Sequence, residues 1–200
     1  MNKDDEQILV VKSDIIFRDE RWQGLKTDNL DYYIDLIKKN CEFKRRGDVE
    51  NDNSYQQIIP YILFNYQDKY FLYHYLAKAG EDRLKSDYAI GIGGHINSDD
   101  VKGSKDLLEA GRDREWDEEV EYKDDLIEKK LIGLIADNGR PVESAHLGIA
   151  YIYKGTTPNI SVKEVDKIAG ELMSLEDTAR EASNTKGWAP IIYKEYISKL

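Results

Sequence analysis

Two kinds of apolar spacing alternate along this chain of 200 residues. Consecutive apolar, β-branched and aromatic residues at positions 8–17, 58–65 and 70–77 are typical of strands. Residues 30–40 instead carry apolar side chains three and four positions apart, which predicts an amphipathic helix. Because Tyr66-Gln67-Asp68-Lys69 joins the second and third apolar runs, these two are expected to form an antiparallel hairpin.

The second half of the chain is expected to alternate between strands and helices. A short apolar piece at 88–92 leads into Gly93-Gly94-His95-Ile96-Asn97. The elements predicted beyond it are a helix at 104–122, strands at 131–136 and 146–153, and helices at 175–182 and 190–200. This order predicts an α+β fold in which helices cover a mixed β-sheet.

A polar stretch at residues 44–54 predicts a loop or a soft boundary. It divides the chain into a small N-terminal α/β extension, residues 1–54, and a main domain, residues 55–200. Three roles remain open for the extension: it enlarges the sheet of the same domain, covers the site, or forms the contact of a homodimer.

Charge and cysteine content narrow the classes of partner. The formal net charge is −10, and such an acidic protein repels the nucleic-acid backbone, so duplex nucleic acid is not an expected partner. The chain has no run of 18 apolar residues and its N-terminus is acidic, so neither a membrane span nor a secretory signal is expected. The single cysteine, Cys41, cannot form an internal disulfide. These features favour a cytoplasmic protein.

The segment Arg114-Glu115-Trp116-Asp117-Glu118-Glu119 carries the strongest chemical signal. In a helix, Glu115, Glu118 and Glu119 lie within an arc of about 100°. Their carboxylates repel one another, and a hard divalent cation such as Mg²⁺ or Mn²⁺ relieves the repulsion. Arg114, four residues before Glu118, is expected to pair with it. A solvated acidic helix face is the alternative, but the double glycine upstream allows close approach to a metal or phosphate and favours a metal site.

This segment resembles the Nudix box, which reads Gly, five residues, Glu, seven residues, Arg-Glu, an aliphatic residue, any residue, Glu-Glu, any residue, Gly and an aliphatic residue. Arg114-Glu115 and Glu118-Glu119 match directly, while Trp116 stands at the aliphatic position. The stretch GIGGHIN, residues 91–97, also resembles a bacterial Nudix subgroup described as predicted phosphoesterases. The likeness to that subgroup runs from about residue 56 to residue 153.

Three further positions depart from the box. Asp106 stands at the first Glu position and is expected to support the geometry between loop and helix. At strict spacing the first Gly position is Asp100, but the natural match is Gly94, six residues earlier, which implies an insertion. Because Glu121 stands at the last Gly position, the helix is expected to end differently.

The resemblance implies a Nudix fold, an α/β/α sandwich, and a pyrophosphohydrolase. It would use Mg²⁺ or Mn²⁺ to cleave a small, nucleoside-diphosphate-type substrate by attack of water at phosphorus. The metal ligands it implies are Glu115, Glu118, Glu119 and the carbonyl of Gly94. The catalytic residues it implies are Arg114, Glu115 and Glu118, and the candidates that remain open for the general base are Glu115, Glu118, Glu143 and Glu164.

Gly93 and His95 are the expected contacts with substrate. His95 follows the double glycine and could donate to a phosphate oxygen. A structural hydrogen bond at the end of a strand is the alternative for this histidine.

Other functions fit parts of the pattern. The departures at Asp106, Trp116 and Glu121 also suit a Nudix domain that binds a nucleotide-like ligand without cleaving it. An isomerase on the same fold would need a cysteine near the start of the catalytic domain, and Cys41 lies outside the segment that resembles the family. A structural protein with an acidic helix is the remaining alternative, and stabilisation by Mg²⁺ would separate it from the others.

Overall fold

The computed structural model describes residues 2–76, 88–139 and 144–200. The strands in these ranges are β1 Gln7–Lys12, β2 Gly24–Lys26, β3 Glu42–Arg45, β4 Tyr55–Tyr66, β5 Lys69–Tyr75, β6 Gly91–Ile92, β7 Val120–Glu121, β8 Leu126–Ala136, β9 His146–Gly155, β10 Ser161–Val162 and β11 Ile168–Met173. The helices are α1 Ser13–Ile16, α2 Leu30–Asn40, α3 Arg46–Val49, α4 Leu107–Glu119, α5 Leu175–Asn184 and α6 Trp188–Glu195, with 3₁₀ turns at Lys3–Asp5 and Ile197–Lys199. None of the helices in the described ranges is long and apolar enough to span a membrane.

Hydrogen bonding joins nine of these strands into one sheet. The order along its main path is β11-β5-β4-β9-β8-β2, with β1 and β6 also paired to β4 and β3 paired to β1. The two remaining strands, β7 and β10, form a separate antiparallel pair. A mixed sheet combined with helices confirms the predicted α+β fold.

The elements with strong local patterns form where they were predicted. Helix α2 occupies residues 30–40, and strands β4 and β5 form the expected hairpin. In the hairpin Tyr66 pairs with Lys69, so its loop has two residues, and Gln67 there takes a φ of 55°. The side chain of Asn65 donates to the backbone oxygens of Gln67 and Lys69, both at 3.0 Å, and holds the turn closed.

The strand predicted over residues 8–17 is wrong in its second half, because β1 ends at Lys12. The Ser13 hydroxyl donates to the backbone oxygen of Asn53 at 2.7 Å, and the Ser13 amide donates to Ser54 at 2.8 Å. These bonds tie the chain to the start of β4, and the apolar residues that follow enter the short helix α1.

The loop predicted over residues 44–54 is wrong for residues 44–49, whereas residues 50–54 lie outside helices and strands as predicted. Its first residues belong to β3, which pairs antiparallel with β1 from Gln7 opposite Arg45 to Val10 opposite Glu42. Helix α3 follows directly. Backbone pairing with β1 therefore outweighs the polar composition of this stretch, and Arg45 is further held by an ion pair with Asp5 at 2.9 Å.

The described chain forms two compact units, and the first comprises Met1–Tyr61, Gly93–Glu115 and Ile132–Ala150. Its interior includes Ile8, Val10 and Val49, with Tyr55 packed against them. Because β1 pairs with β4 from Val10 opposite Gln57 to Lys12 opposite Tyr55, the predicted boundary between residues 54 and 55 does not coincide with a limit of this unit. The division into an extension, 1–54, and a main domain, 55–200, stays a prediction.

The second unit comprises Ile62–Ile92, Trp116–Leu131 and Tyr151–Leu200. Its core is centred on Trp116, which is only 7% exposed. The indole stacks on Phe64 with ring centroids 5.9 Å apart and contacts Tyr153 at 5.0 Å. Trp116, which stands at the aliphatic position of the box, therefore packs among aromatic side chains in the core. This agrees with its expected place on the apolar side of the helix.

Substitution Trp116→Leu restores the aliphatic residue of the box and tests this packing. Because Phe64 and Tyr153 are arranged around the indole, the smaller side chain leaves a cavity, and we expect a loss of about 2–4 kcal/mol in the free energy of unfolding. Urea unfolding measures it, with Trp116→Phe as a milder control. A variant as stable as the wild type would contradict the assignment of Trp116 to the core.

Candidate active site

The first turn of α4 is fixed by Asp106. One Asp106 carboxylate oxygen accepts from the amides of Leu108 at 3.1 Å and Glu109 at 3.2 Å, as an N-cap side chain does. The other oxygen pairs with the ammonium of Lys38 at 2.6 Å. Partial burial raises the pKa of Asp106, but Lys38 and the two amides outweigh it, and the pKa is lowered overall. Asp106 thus supports the geometry between loop and helix, as expected.

The double glycine is required by two different neighbours. A Cβ atom at Gly93 would collide with the backbone carbonyl of Pro60 in β4. A Cβ atom at Gly94 would lie 2.6 Å from one carboxylate oxygen of Glu115 and 2.9 Å from the other. The segment therefore runs close to a strand at the first glycine and close to a carboxylate at the second.

Glu115 is a buried carboxylate, 4% exposed, and its neighbour Arg114 supplies the opposite charge. The guanidinium donates to the Glu115 carboxylate and, at 2.7 Å, to the backbone oxygen of His95. It also forms an ion pair with Asp100 at 3.1 Å. One side chain thus connects helix α4 with residues 95–100. The expected pair between Arg114 and Glu118 stays a prediction.

Asp100, one of the departures from the box, has a structural role that its position in the sequence does not predict. It stands where strict spacing would put the first glycine, and the inserted loop delivers its carboxylate to Arg114. Asp100 lies in a loop, 14 residues before Arg114. This separation matches neither helical nor strand spacing, so the sequence does not identify the pair. Only the departure itself, an acidic residue at a glycine position, could have drawn attention to it.

Glu118 and Glu119 follow Glu115 on the same helix. Glu118 is exposed and Glu119 is half-buried. The helix ends at Glu119, and Val120 and Glu121 form β7, which pairs with β10. The helix therefore ends differently from the box, as expected from Glu121 at the last glycine position.

The donor set fits a hard divalent cation that is held partly by water and substrate. In the described residues, no group of three or more His, Cys, Asp or Glu side chains is close enough to hold a metal by itself. Mg²⁺ does not need such a cage, because it usually binds one or two carboxylates and keeps waters and phosphate oxygens as its other ligands. The Glu115 carboxylate lies beside the backbone of Gly94, so one carboxylate and one backbone segment are available there.

His95 takes part in a structural hydrogen bond. Its Nε2 atom lies 2.6 Å from Oε1 of Gln57, and its ring lies beside that of His146 with centroids 5.5 Å apart. Burial, followed by the charges of Arg46 and other cations, lowers the pKa of His95 to about 3. The ring is therefore neutral at pH 7 and donates Nε2–H to Gln57. This geometry favours the structural alternative, and contact of Gly93 or His95 with substrate phosphate stays a prediction.

The candidates for the general base differ in their surroundings. Glu164 is an exposed carboxylate paired with Lys167 at 2.9 Å. Glu143 lies outside the described residues. The Cys41 thiol, which an isomerase would have required, has its pKa raised by burial, and this disfavours the reactive thiolate.

Known proteins are similar to this chain over most of its length. No family model matches the chain. The chain is 32% identical over 190 residues to protein YmaB of Bacillus subtilis strain 168, with 90% of this chain and 91% of YmaB covered. Its structure is similar to that of Tm1382, described as a candidate Nudix hydrolase, with a TM-score of 0.83, 26% identity, and coverage of 98% of this chain and 100% of Tm1382.

The chain belongs to the Nudix hydrolase family. As a member of this family the chain is an enzyme, a hydrolase. The match to Tm1382 covers nearly the whole chain, so residues 1–54 belong to the part that the two structures share. The Nudix resemblance read from residues 91–97 and 114–119 is confirmed.

The lowered pKa of His95 predicts a specific pH dependence. The unfolded chain takes up a proton at this group near its ordinary pKa of 6.5, whereas the folded chain does so only near 3. The stability contributed by neutral His95 is therefore complete above pH 6.5 and is lost as the pH falls toward 3. We expect the ¹³Cε1 shift of His95, assigned with His95→Gln, to stay constant from pH 7 to pH 5.

The urea-unfolded protein is the control, because His95 should titrate there near its ordinary pKa. A midpoint near 6.5 in the folded protein would show that the ring is accessible to solvent and would contradict the bond to Gln57.

Substitution Gly94→Ala should displace the Glu115 carboxylate without unfolding the protein. The added methyl group meets the end of a side chain, which can move, so we expect little loss of stability. A misplaced group in the site typically costs on the order of a hundredfold in rate, and we expect kcat to fall by about that factor. Gly93→Ala is the contrasting variant, because its methyl group meets backbone, and it should lose stability. Full activity of Gly94→Ala would contradict the proximity of Gly94 to Glu115.

Proposed function

We propose that this enzyme is a divalent-metal-dependent pyrophosphohydrolase, in which water attacks phosphorus of a small nucleoside-diphosphate-linked substrate. The observation that carries the proposal is the buried Glu115 carboxylate, which Arg114 holds against the backbone of Gly94. Glu118 and Glu119 continue this acidic helix by one further turn. Three glutamates on one helix, the first of them beside the backbone of a glycine, suit Mg²⁺ or Mn²⁺ together with a pyrophosphate.

Glu115, Glu118, Glu119 and the Gly94 carbonyl are the groups that would hold the cation. When bound, a divalent ion neutralises charge on phosphate oxygens and makes water more acidic. Arg114 keeps the Glu115 carboxylate in place through its bonds to Asp100 and to the backbone of residue 95. Its role is therefore to position a ligand, which is the main contribution that transfer at phosphorus requires from a protein.

We assign the acceptance of the water proton to Glu118. Glu115 is buried and already accepts from Arg114, so its oxygens are less accessible to water. Glu118 is exposed on the same helix. Glu164 is a weaker candidate, since it lies outside α4, the helix that carries the box.

The proposed substrate is a small phosphorylated molecule of nucleotide type. The net charge of −10 argues against duplex nucleic acid as a partner, because long-range repulsion acts on every phosphate of a polymer. The single cysteine favours a cytoplasmic location. A homodimer is the oligomeric state that we would test first, by light scattering.

Substitution Glu118→Gln removes one charge with little change in shape. If this carboxylate binds the cation and takes the proton, kcat should fall by roughly a hundredfold or more while the fold is kept. Asp117→Asn is the matched control, because Asp117 is an exposed carboxylate on the neighbouring position of α4. Wild-type turnover of Glu118→Gln, or an equal loss in Asp117→Asn, would contradict the assignment.

Metal dependence and substrate class can be measured together. Release of phosphate or pyrophosphate from nucleotides, nucleotide sugars and dinucleotides should require Mg²⁺ or Mn²⁺ and should stop with EDTA. Activity that persists in EDTA would contradict the metal assignment. If the whole panel stays uncleaved while Mg²⁺ raises the melting temperature, the domain binds its ligand without cleaving it.

A further inference from the structure

A groove within the first unit lies apart from the residues of the Nudix box. It encloses about 470 Å³ at the carboxyl end of β1, and its lining consists of Lys12, Ser13, Asp14, Arg21, Ser54 and Tyr55. A volume of roughly 300–1,000 Å³ is usual for sites that bind small molecules. The lining is mostly polar side chains, so the groove suits a charged ligand.

The two cations of the groove lack a carboxylate partner within the described part of the chain. Neither the Lys12 ammonium nor the Arg21 guanidinium has an ion pair within 4.0 Å there, although many other lysines and arginines do. The Arg21 guanidinium lies 4.2 Å from the centroid of the Phe17 ring. This stacking restricts the guanidinium plane and leaves its donors available to an anion.

The base of the groove is a fixed polar network. Ser13 is buried, donates to the backbone oxygen of Asn53 at 2.7 Å and accepts from the side-chain nitrogen of Gln56 at 3.0 Å. Lys44 adds a further positive charge beside the groove, with its ammonium 4.8 Å from the centroid of the Tyr55 ring. Asp14 is the one carboxylate among the lining residues, so cations are in excess.

One strand pair connects the groove with a residue described above. Along β1 and β4, Val10 pairs with Gln57 and Lys12 pairs with Tyr55. Gln57 is the residue that binds His95.

We propose that this groove binds a phosphate group through Lys12 and Arg21, at a place separate from the carboxylates of α4. The phosphate belongs either to the far end of the substrate or to a second phosphorylated ligand, and the same two cations would recognise both. Binding itself does not depend on the proposed hydrolysis. Only the assignment to the substrate rests on the proposed function.

The test is binding of inorganic pyrophosphate to the whole protein, measured by calorimetry in EDTA so that no metal site contributes. The double variant Lys12→Ala/Arg21→Ala should bind at least about tenfold more weakly, because charge-assisted hydrogen bonds to phosphate are lost. Lys194→Ala/Lys199→Ala is the matched control, since it removes two exposed positive charges elsewhere and should bind as the wild type does. Glu118→Gln should also bind normally, even if hydrolysis fails.

Two outcomes would overturn the proposal: wild-type protein that does not bind pyrophosphate at millimolar concentration, or equal weakening in the two double variants. Kinetics then separate the sources of the phosphate. A KM raised about tenfold with unchanged kcat in Lys12→Ala/Arg21→Ala identifies the far end of the substrate. An unchanged KM together with lost pyrophosphate binding identifies a second ligand.

Discussion

The arrangement of the candidate site depends on the compensation of one buried negative charge. Glu115 is almost fully enclosed, and removing the partner from a buried ion pair typically costs about 3–5 kcal/mol. Arg114 supplies the compensating charge, and because it also binds Asp100 and the backbone of residue 95, it fixes the preceding segment against the helix. The position of residues 95–100 against α4 is therefore a consequence of the need to neutralise the Glu115 carboxylate.

The lack of side chains at two adjacent positions is the second constraint on the site. Gly93 lies against the backbone of β4, and Gly94 lies against the Glu115 carboxylate. The first contact fixes where the chain passes, and the second leaves room for the Glu115 carboxylate beside the backbone. These glycines have different functions although they are neighbours, since one serves the packing of the sheet and the other serves the chemistry of the site.

Sequence patterns predicted the elements whose signal is local, and they missed those that depend on distant partners. The periodicity of residues 30–40 and the turn between β4 and β5 identify a helix and a hairpin directly. Strand β3 is polar and forms only because β1 pairs with it. In the site, the box glutamates are recognisable by spacing, whereas Asp100 and Gln57 reach Arg114 and His95 across 14 and 38 residues. No short-range periodicity encodes such contacts.

An acidic enzyme that binds an anionic substrate needs positive charge close to the bound substrate, because the net charge of the protein repels it. At physiological ionic strength, exposed charges are largely screened beyond about 8 Å, so the field at a bound phosphate is set by the groups that surround it. On α4 these groups are carboxylates, which need a cation before they can face a phosphate. In the groove beside β1, Lys12 and Arg21 are already cationic. Two regions of the chain therefore meet the same electrostatic requirement by different means, one through a bound ion and the other through side chains.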